Sequence, residues 1–189
     1  MKAIHESVPS PTIVTERLIL KVVDAAVWQQ LLEQLTDGEI MEFMGCNTPE
    51  ELAMERFRYR DHHSGVNRSF LSFLLLERET GRVMGKCGYH NWMPNHNRSE
   101  MGDLLYEYAD KGRGYMKEAL RPIVNHGFNR LGLHRIEAFT GKDNIASQRL
   151  LKGLGFQFEG ILREHFCVNG VNEDSWCFSL LKREFERLK

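Results

Sequence analysis

Apolar positions that alternate, or that recur at helical spacing, divide this chain into strands and helices. Ile13 to Val23 alternates and predicts the first strand, and Asp24 then stands where a helix N-cap is expected. The helix after it places its apolar side chains at Trp28, Leu31, Leu32 and Leu35. A capping box at Thr48 to Glu51 predicts a second helix to about His62, whose thin apolar face suits a surface or the side of a cleft.

The second half of the chain predicts hairpins on either side of a strand-helix-strand unit. One helix is expected from Gly114 to about Arg130, and another begins at Asp143 and Asn144 and ends at Gly155. Asn169-Gly170 is a strong signal for the turn of the last hairpin. The predicted strands are Arg68 to Glu77, Arg82 to Tyr89, an apolar strand from Ser99, Arg135 to Thr140, Phe156 to Val168 and Val171 to Leu181.

The summed order is β-α-α-β-β-β-α-β-α-β-β, which predicts an α/β fold with a mixed sheet. The central strand-helix-strand unit should be parallel and right-handed. Residues 1–11 hold two prolines and little periodicity, so we expect a flexible N-terminal arm there. Residues 12–189 should form a single domain.

Composition adds mainly exclusions. Of 189 residues, 42% are hydrophobic and 27% charged, and the formal net charge is −1, so neither a nucleic-acid nor a membrane partner is indicated. The four cysteines lie far apart without metal-ligand spacing, and we expect reduced thiols and no metal. No export signal or membrane-spanning run is recognisable, so we expect a cytoplasmic protein.

The richest candidate chemistry lies between Ser99 and Tyr115, where a strand leads into K-G-R-G-Y at the mouth of a helix. Gly112 and Gly114 remove two Cβ atoms where the chain turns, so a ligand can approach the backbone. Free N–H groups and the helix dipole favour an anion there, and Lys111 and Arg113 add positive charge. An incidental glycine pair is the alternative, since neither the P-loop nor the dinucleotide fingerprint fits.

A set of short motifs, in one order along the chain, resembles the GNAT N-acetyltransferases. The nearest branch is the RimJ/RimL-like one, whose named members acetylate the N-termini of ribosomal proteins. The resemblance covers Thr15 to Leu181 and implies transfer of an acetyl group from acetyl-CoA to an amine, by direct attack on the thioester. The motifs are T-E-R-L-I-L from Thr15, K-G-R-G-Y from Lys111, Asn144 with Ser147, Gly155-Phe156, Glu159-Gly160 and the Asn169-Gly170 hairpin ending on Asp174.

The resemblance also implies where CoA binds. Its pyrophosphate would lie against Lys111 to Met116, and its pantetheine arm between two central strands that splay apart, at Met101 to Leu105 and Ile136 to Thr140. Met116 stands where the family has a small residue, and crowding of the diphosphate by its bulk stays open, because the backbone is expected to do most of the binding. The implied cofactor-binding residues are Met101, Leu104, Leu105, Lys111, Gly112, Arg113, Gly114, Tyr115, Met116 and Asn144.

Glu100 and Ser147 are the implied catalytic residues, as the base for the amine and the acid for the leaving thiolate. Many relatives use a tyrosine as the acid, and Leu151 occupies its position here. Other roles stay open: Asn144 as a helix cap, Ser147 as a solvated hydroxyl and Glu100 as a strand-edge charge. Further candidates are His90, to hold a water, and Glu164 or His165, to contact the acceptor.

A peptide N-terminus is the expected acceptor. An α-amine has a pKa of about 8 and a lysine amine about 10.4. A larger fraction of the α-amine is therefore already neutral at pH 7, and its deprotonation requires a weaker base. The alternatives are a small-molecule acetyltransferase acting on an amino acid, polyamine or drug, and a non-catalytic CoA-binding sensor. The expected partners are acetyl-CoA and the amine, and the expected state is a monomer or homodimer.

Overall fold

The computed structural model describes residues 2–60 and 69–188, and a mixed β-sheet forms its centre. The strands in these ranges are β1 (Thr12–Val14), β2 (Leu18–Val23), β3 (Ser69–Glu77), β4 (Val83–Met93), β5 (Arg98–Leu105), β6 (Arg135–Gly141), β7 (Gln157–Val168) and β8 (Val171–Leu181). They pair in the order β1-β2-β3-β4-β5-β6-β8-β7. Only the β5–β6 pair within this described sheet is parallel.

Helices cover both faces of the sheet, because its strands are apolar on both sides. In β2, Leu18 and Leu20 point into one core and Val23 into the other. The first core is completed by α5, and the second by side chains from α2, α3 and α4. The α-helices of the described chain are α1 (Lys2–Ser7), α2 (Ala25–Gln34), α3 (Asp37–Met44), α4 (Pro49–Arg60), α5 (Tyr115–Asn129), α6 (Ile145–Gly153) and α7 (Lys182–Arg187).

The predicted mixed α/β architecture is confirmed, and the predicted strands and helices occur in the expected order. Three helices of at most eight residues, α1, α3 and α7, were not predicted, since one or two turns carry too little periodicity to recognise. The first predicted strand is divided, because the chain between β1 and β2 bonds to α5 instead of the sheet. The predicted helix end at His62 and strand start at Arg68 lie outside the described residues.

The N-terminal segment differs from the flexible arm predicted for residues 1–11. It contains α1, and Val8 after it is fully buried. Lys21, also buried, donates from Nζ to the carbonyl oxygens of His5 and Val8, the second at 2.8 Å. A buried ammonium needs such acceptors, so Lys21 ties the segment to β2. Local periodicity could not predict these contacts, because Val8 and His5 lie 13 and 16 positions from Lys21 in the sequence.

The parallel strands pair only at their N-terminal ends. The ladder joins Arg98–Glu100 of β5 to Arg135–Glu137 of β6. Beyond it, β5 continues beside β4 and β6 continues beside β8, with no further pairing between β5 and β6 in the described sheet. The central strands therefore splay apart as the resemblance implied, and backbone groups along the opening are available to a ligand.

Candidate active site

A groove of about 840 Å³ follows the splay between β5 and β6 and reaches the start of α5; we call it the large groove. The structure gathers nearly all the predicted site residues along it. Those that line it are Glu100, Met101, Leu104, Leu105, Lys111, Gly112, Gly114, Tyr115, Met116, Asn144 and Ser147. Arg113 does not line the groove; its guanidinium lies 5.2 Å from the centre of the Tyr115 ring.

The turn before α5 exposes its backbone to the groove. Gly112 and Gly114 have φ of +74° and +83°, in the left-handed region that favours glycine. Gly114 is the N-cap of α5, and no side chain caps the first N–H groups of this helix. These donors and the positive end of a 15-residue helix make an anion site.

Met116 is mostly buried at this site. It is 7% exposed and packs in the core that α5 completes, and it also lines the groove. Met101 is likewise buried in the core and also lines the groove. Because little of Met116 is exposed, most of its bulk is accommodated in the core.

Arg17 and Glu118 brace the turn, a role that sequence reasoning missed. The Glu118 carboxylate accepts from the Thr15 hydroxyl at 2.6 Å and from the Arg17 backbone N–H and Nε, each at 2.7 Å. Burial works to raise the pKa of Glu118, but the hydrogen bonds from Thr15 and Arg17 lower it overall. The Arg17 guanidinium also donates to the Arg113 carbonyl at 3.1 Å. The T-E-R motif thus fixes the first turn of α5 from 101 residues away.

A second brace lies just before the turn. Asp110 is 2% exposed and accepts two hydrogen bonds from the Arg82 guanidinium, at 2.8 and 3.1 Å. These bonds lower the pKa of Asp110, so the carboxylate stays ionised. Because Arg82 comes just before β4 and Asp110 just before Lys111, the pair fixes the turn to the sheet. Only the long-range pairing shows this, as neither residue belongs to a recognisable motif.

Asn144 and Ser147 meet at the start of α6, on the other side of the groove. The Asn144 side-chain oxygen accepts from the Ser147 backbone N–H at 3.1 Å, so Asn144 is the helix N-cap. The amide nitrogen of that cap and the half-buried Ser147 hydroxyl stay available to a ligand. Leu151, where a tyrosine acid was sought, is buried in the α5 core.

His90 and Glu100 face each other across β4 and β5, at the point where the splay begins. His90 Nε2 lies 2.8 Å from one Glu100 oxygen, and Asn91 Nδ2 lies 2.8 Å from the other. Burial works to raise the pKa of Glu100, but the hydrogen bonds from His90 and Asn91, with the nearby charges of His90 and His165, lower it. Sequence reasoning placed Glu100 here but did not find the pair.

A cavity of about 520 Å³, which we call the second cavity, lies under α4 beside β3, β4 and β5. It adjoins the large groove, because His90, Gly102, Asp103 and Leu104 line both. The placement agrees with the thin apolar face of α4, which predicted a helix beside a cleft. Four aromatic residues contribute to its walls: Phe57, Tyr59, Phe70 and Tyr89.

Charges in the second cavity are largely paired. The Glu55 carboxylate is buried and accepts from Lys86 and from Arg58, the latter at 2.5 Å. Asp103 is open to the cavity, yet desolvation by the surrounding protein raises the pKa of its carboxyl. The cavity therefore offers an apolar body with few unbalanced charges, and its mouth lies beside the His90–Glu100 pair.

Comparisons with known proteins agree with this geometry. Residues 17–157 match the family described as Acetyltransferase (GNAT) domain. "Uncharacterized N-acetyltransferase p20" of Bacillus licheniformis is 32% identical over 92% of this chain and 98% of its own length. "Putative ribosomal N-acetyltransferase YdaF" of Bacillus subtilis (strain 168) is 30% identical over 56% of this chain and 57% of its own.

Among solved structures, that of a "putative ribosomal-protein-serine acetyltransferase from Vibrio cholerae" superposes with a TM-score of 0.65 at 24% identity. The superposition covers 92% of this chain and 98% of the Vibrio cholerae chain. At this sequence identity the similarity shows a shared fold and nothing about the substrate.

The fold and the groove define an acyltransferase, and the chain belongs to the GNAT acetyltransferase family. GNAT acetyltransferases use acetyl-CoA. No helix in the described part of the chain is long and apolar enough to cross a membrane. Across residues 2–60 and 69–188, no three His, Cys, Asp or Glu side chains gather as metal ligands would.

Proposed function

We propose that this protein transfers the acetyl group of acetyl-CoA to a primary amine, and that the amine is a peptide N-terminus. One observation carries the proposal: two cavities of different character meet at the splay, with a titratable pair at their junction. The large groove suits acetyl-CoA, and the second cavity suits the acceptor.

The large groove fits CoA through groups that the chain itself supplies. The uncapped N–H groups of α5 and the charge of Lys111 suit a diphosphate. The unpaired edges of β5 and β6 suit the amides of a pantetheine arm. Asn144 and Ser147 face the same groove from α6, so they would lie along the thioester end.

The chemistry needs two proton movements. The amine nitrogen attacks the thioester carbonyl carbon, a C–N bond forms, and the C–S bond breaks. One proton of the ammonium leaves towards the His90–Glu100 pair before the attack. After the attack the CoA thiolate takes a proton from the hydroxyl of Ser147, to which we assign this role, and the hydroxyl takes up the second nitrogen proton in exchange. No covalent enzyme intermediate is needed, because both reactants meet at the junction of the cavities.

The charge pattern of the second cavity supports a monoamine over a polyamine. A polyamine carries several ammonium groups that need carboxylate partners. Two carboxylates line the second cavity, and Glu55 is already occupied by Lys86 and Arg58, which leaves Asp103 as a partner for one ammonium group. A peptide with an apolar first residue brings one α-amine and an uncharged side chain, which suits aromatic walls. The relative named as a ribosomal N-acetyltransferase supports the same acceptor class.

Two measurements test the proposal. Acetyl-CoA should raise the melting temperature, since a ligand at a hundred times its Kd stabilises the native state by about 2.7 kcal/mol. Thiol release should then be assayed with peptides of varied first residue, free amino acids and spermidine. Turnover of peptides above the other amines is expected. The absence of a thermal shift at millimolar acetyl-CoA would refute the CoA assignment, and faster turnover of spermidine would refute the acceptor assignment.

A further inference from the structure

We propose that His90 accepts the proton of the incoming amine, and that Glu100 and Asn91 act as positioning residues for its imidazole. The inference rests on the proposed function, since it concerns the same acetyl transfer. It reassigns the base from the carboxylate that the sequence suggested to the histidine that the carboxylate holds.

Glu100 is poorly placed to collect a proton. Both of its carboxylate oxygens accept hydrogen bonds, one from His90 and one from Asn91. Its side chain is only 13% exposed, against 45% for that of His90. The same hydrogen bonds lower the pKa of Glu100, which makes the carboxylate a weaker base. Because both oxygens of the Glu100 carboxylate already accept hydrogen bonds, this group is better suited to orienting a neighbouring side chain than to accepting a proton.

The neighbour that it fixes is His90. An ionised carboxylate only accepts hydrogen bonds, so Nε2 of His90 must carry the hydrogen that lies towards Glu100. In neutral imidazole the other nitrogen, Nδ1, then holds the lone pair. Among the described residues Nδ1 has no hydrogen-bond partner, and His90 lines both the large groove and the second cavity. The residue that carries this proton acceptor therefore lines the junction where amine and thioester would meet.

Two backbone features shape the site around the ring. Asn91 has φ of +46°, next to a register shift in the β4–β5 ladder, and this conformation accompanies the contact of its amide with Glu100. Gly102 leaves room for the imidazole: a Cβ built there would lie 2.8 Å from Cε1 and 3.4 Å from Nδ1 of His90. Uncommon backbone conformations persist where the surroundings enforce them, often at functional sites.

Other titratable groups face this pair and bear on its pH dependence. His165 of β7 packs against Phe139 at 4.9 Å and acts on the Glu100 charge from across the splay. Asp103 follows on β5, and Lys86 with Glu55 forms a separate ion pair in the second cavity. In the proposed step Nδ1 takes one proton from the ammonium, and the freed lone pair forms the C–N bond as the C–S bond breaks. The second nitrogen proton then replaces the one that Ser147 gives to the thiolate, and the imidazolium returns its own proton to water.

A double-mutant cycle tests the assignment, with kcat/KM measured from pH 6 to 9 on the best acceptor at saturating acetyl-CoA. His90→Gln should lower kcat/KM about 100-fold or more, within the range of a positioned base, and the loss should shrink as pH rises. Glu100→Gln should cost less, because its amide oxygen can still accept from Nε2. In the His90→Gln background Glu100→Gln should have little further effect, since it acts through His90. Added imidazole should restore activity to His90→Ala.

The controls separate this inference from the proposed function. His96→Gln makes the same substitution at an exposed histidine six positions along, and should leave kcat/KM unchanged. Each variant should keep the acetyl-CoA thermal shift. A wild type without thiol release would refute the proposed function and this inference with it. An active wild type would refute this inference alone if His90→Gln kept its activity, or if Glu100→Gln lost equal activity with and without His90.

Discussion

The turn before α5 and the second cavity lie beside the same splayed sheet, but the turn presents backbone groups and the cavity presents side chains. The turn is one continuous stretch, Lys111 to Met116, and it offers mainly backbone N–H groups. The second cavity is assembled from α4, β3, β4 and β5, and it offers side chains such as Phe57 and Phe70. The turn before α5 could accept any diphosphate-like anion, while the second cavity selects its ligand by shape and apolar surface.

This difference indicates which functions tolerate substitution. A backbone site depends on glycine conformation and helix position, so few sequences build it and it leaves a motif. A side-chain cavity depends on residues that come together only on folding, and many combinations would serve. Substitutions in the turn should therefore affect acetyl-CoA alone, and substitutions in the cavity the acceptor alone.

The largest effect should follow from Gly114→Val. The added Cβ branches would stand where a diphosphate approaches the backbone, and φ of +83° disfavours a β-branched residue. We expect the Kd for acetyl-CoA to rise at least 100-fold by calorimetry, together with some loss of stability. An unchanged Kd would place the anion site elsewhere.

Gly132→Val is the matched control for that experiment. Gly132 has φ of +69° and nothing within 4 Å of a built Cβ, so valine there brings similar backbone strain in open space. It does not line the large groove. This variant should lose stability and keep its acetyl-CoA affinity, and an equal loss of affinity would mean that strain explains the Gly114 result.

A smaller effect is expected from Phe57→Ala in the second cavity. Phe57 is 53% exposed on α4, so its truncation should disturb the fold little. The KM for a peptide acceptor should rise about 10-fold, as a lost apolar contact implies, while the KM for acetyl-CoA stays the same. Steady-state kinetics with each substrate varied measures both.

Met54→Ala provides the comparison for Phe57→Ala. Met54 is 56% exposed on the same helix and does not line the second cavity. It should leave both KM values unchanged. A rise in the KM for acetyl-CoA in either variant would contradict the division of the two regions.

The sequence predicted the fold and the turn because both rest on local information. Alternation and capping residues mark the strands and helices, and two glycines mark the turn. The bracing of the turn by Arg17 and Glu118 could not be predicted, since the two residues lie 101 positions apart and depend on β1 and β2 lying beside α5. The role of Glu100 had the same limit: its position was predicted, but its partners became visible only in the folded sheet.

The smallest predicted effect lies outside both regions, at the ion pair of Arg135 and Glu159, which joins β6 to β7 near the closed end of the splay. Hydrogen bonds from Arg135 and then Ser179 lower the pKa of Glu159 from 4.5 to about 2. A carboxylate whose pKa is lowered by folding stabilises the native state at pH values above its ordinary pKa of 4.5. This contribution is lost as the pH falls from 4.5 towards 2, because the carboxylate then becomes protonated. Because the Glu159 side chain is 42% exposed, solvent screening limits the pair to about 0.5–1 kcal/mol.

Glu159→Gln should therefore lower the free energy of unfolding by about that amount at pH 7, and the difference from wild type should shrink below pH 4.5 and be mostly lost by pH 2. Urea unfolding of both proteins between pH 2 and 7 measures the difference directly, and subtraction removes the other carboxylates that titrate in the same range. Acetyl-CoA affinity and acceptor KM should not change, because Glu159 lines neither the large groove nor the second cavity. A difference independent of pH would mean that Glu159 contributes by packing, whereas altered kinetics would mean that the closed end of the splay controls how far β5 and β6 open.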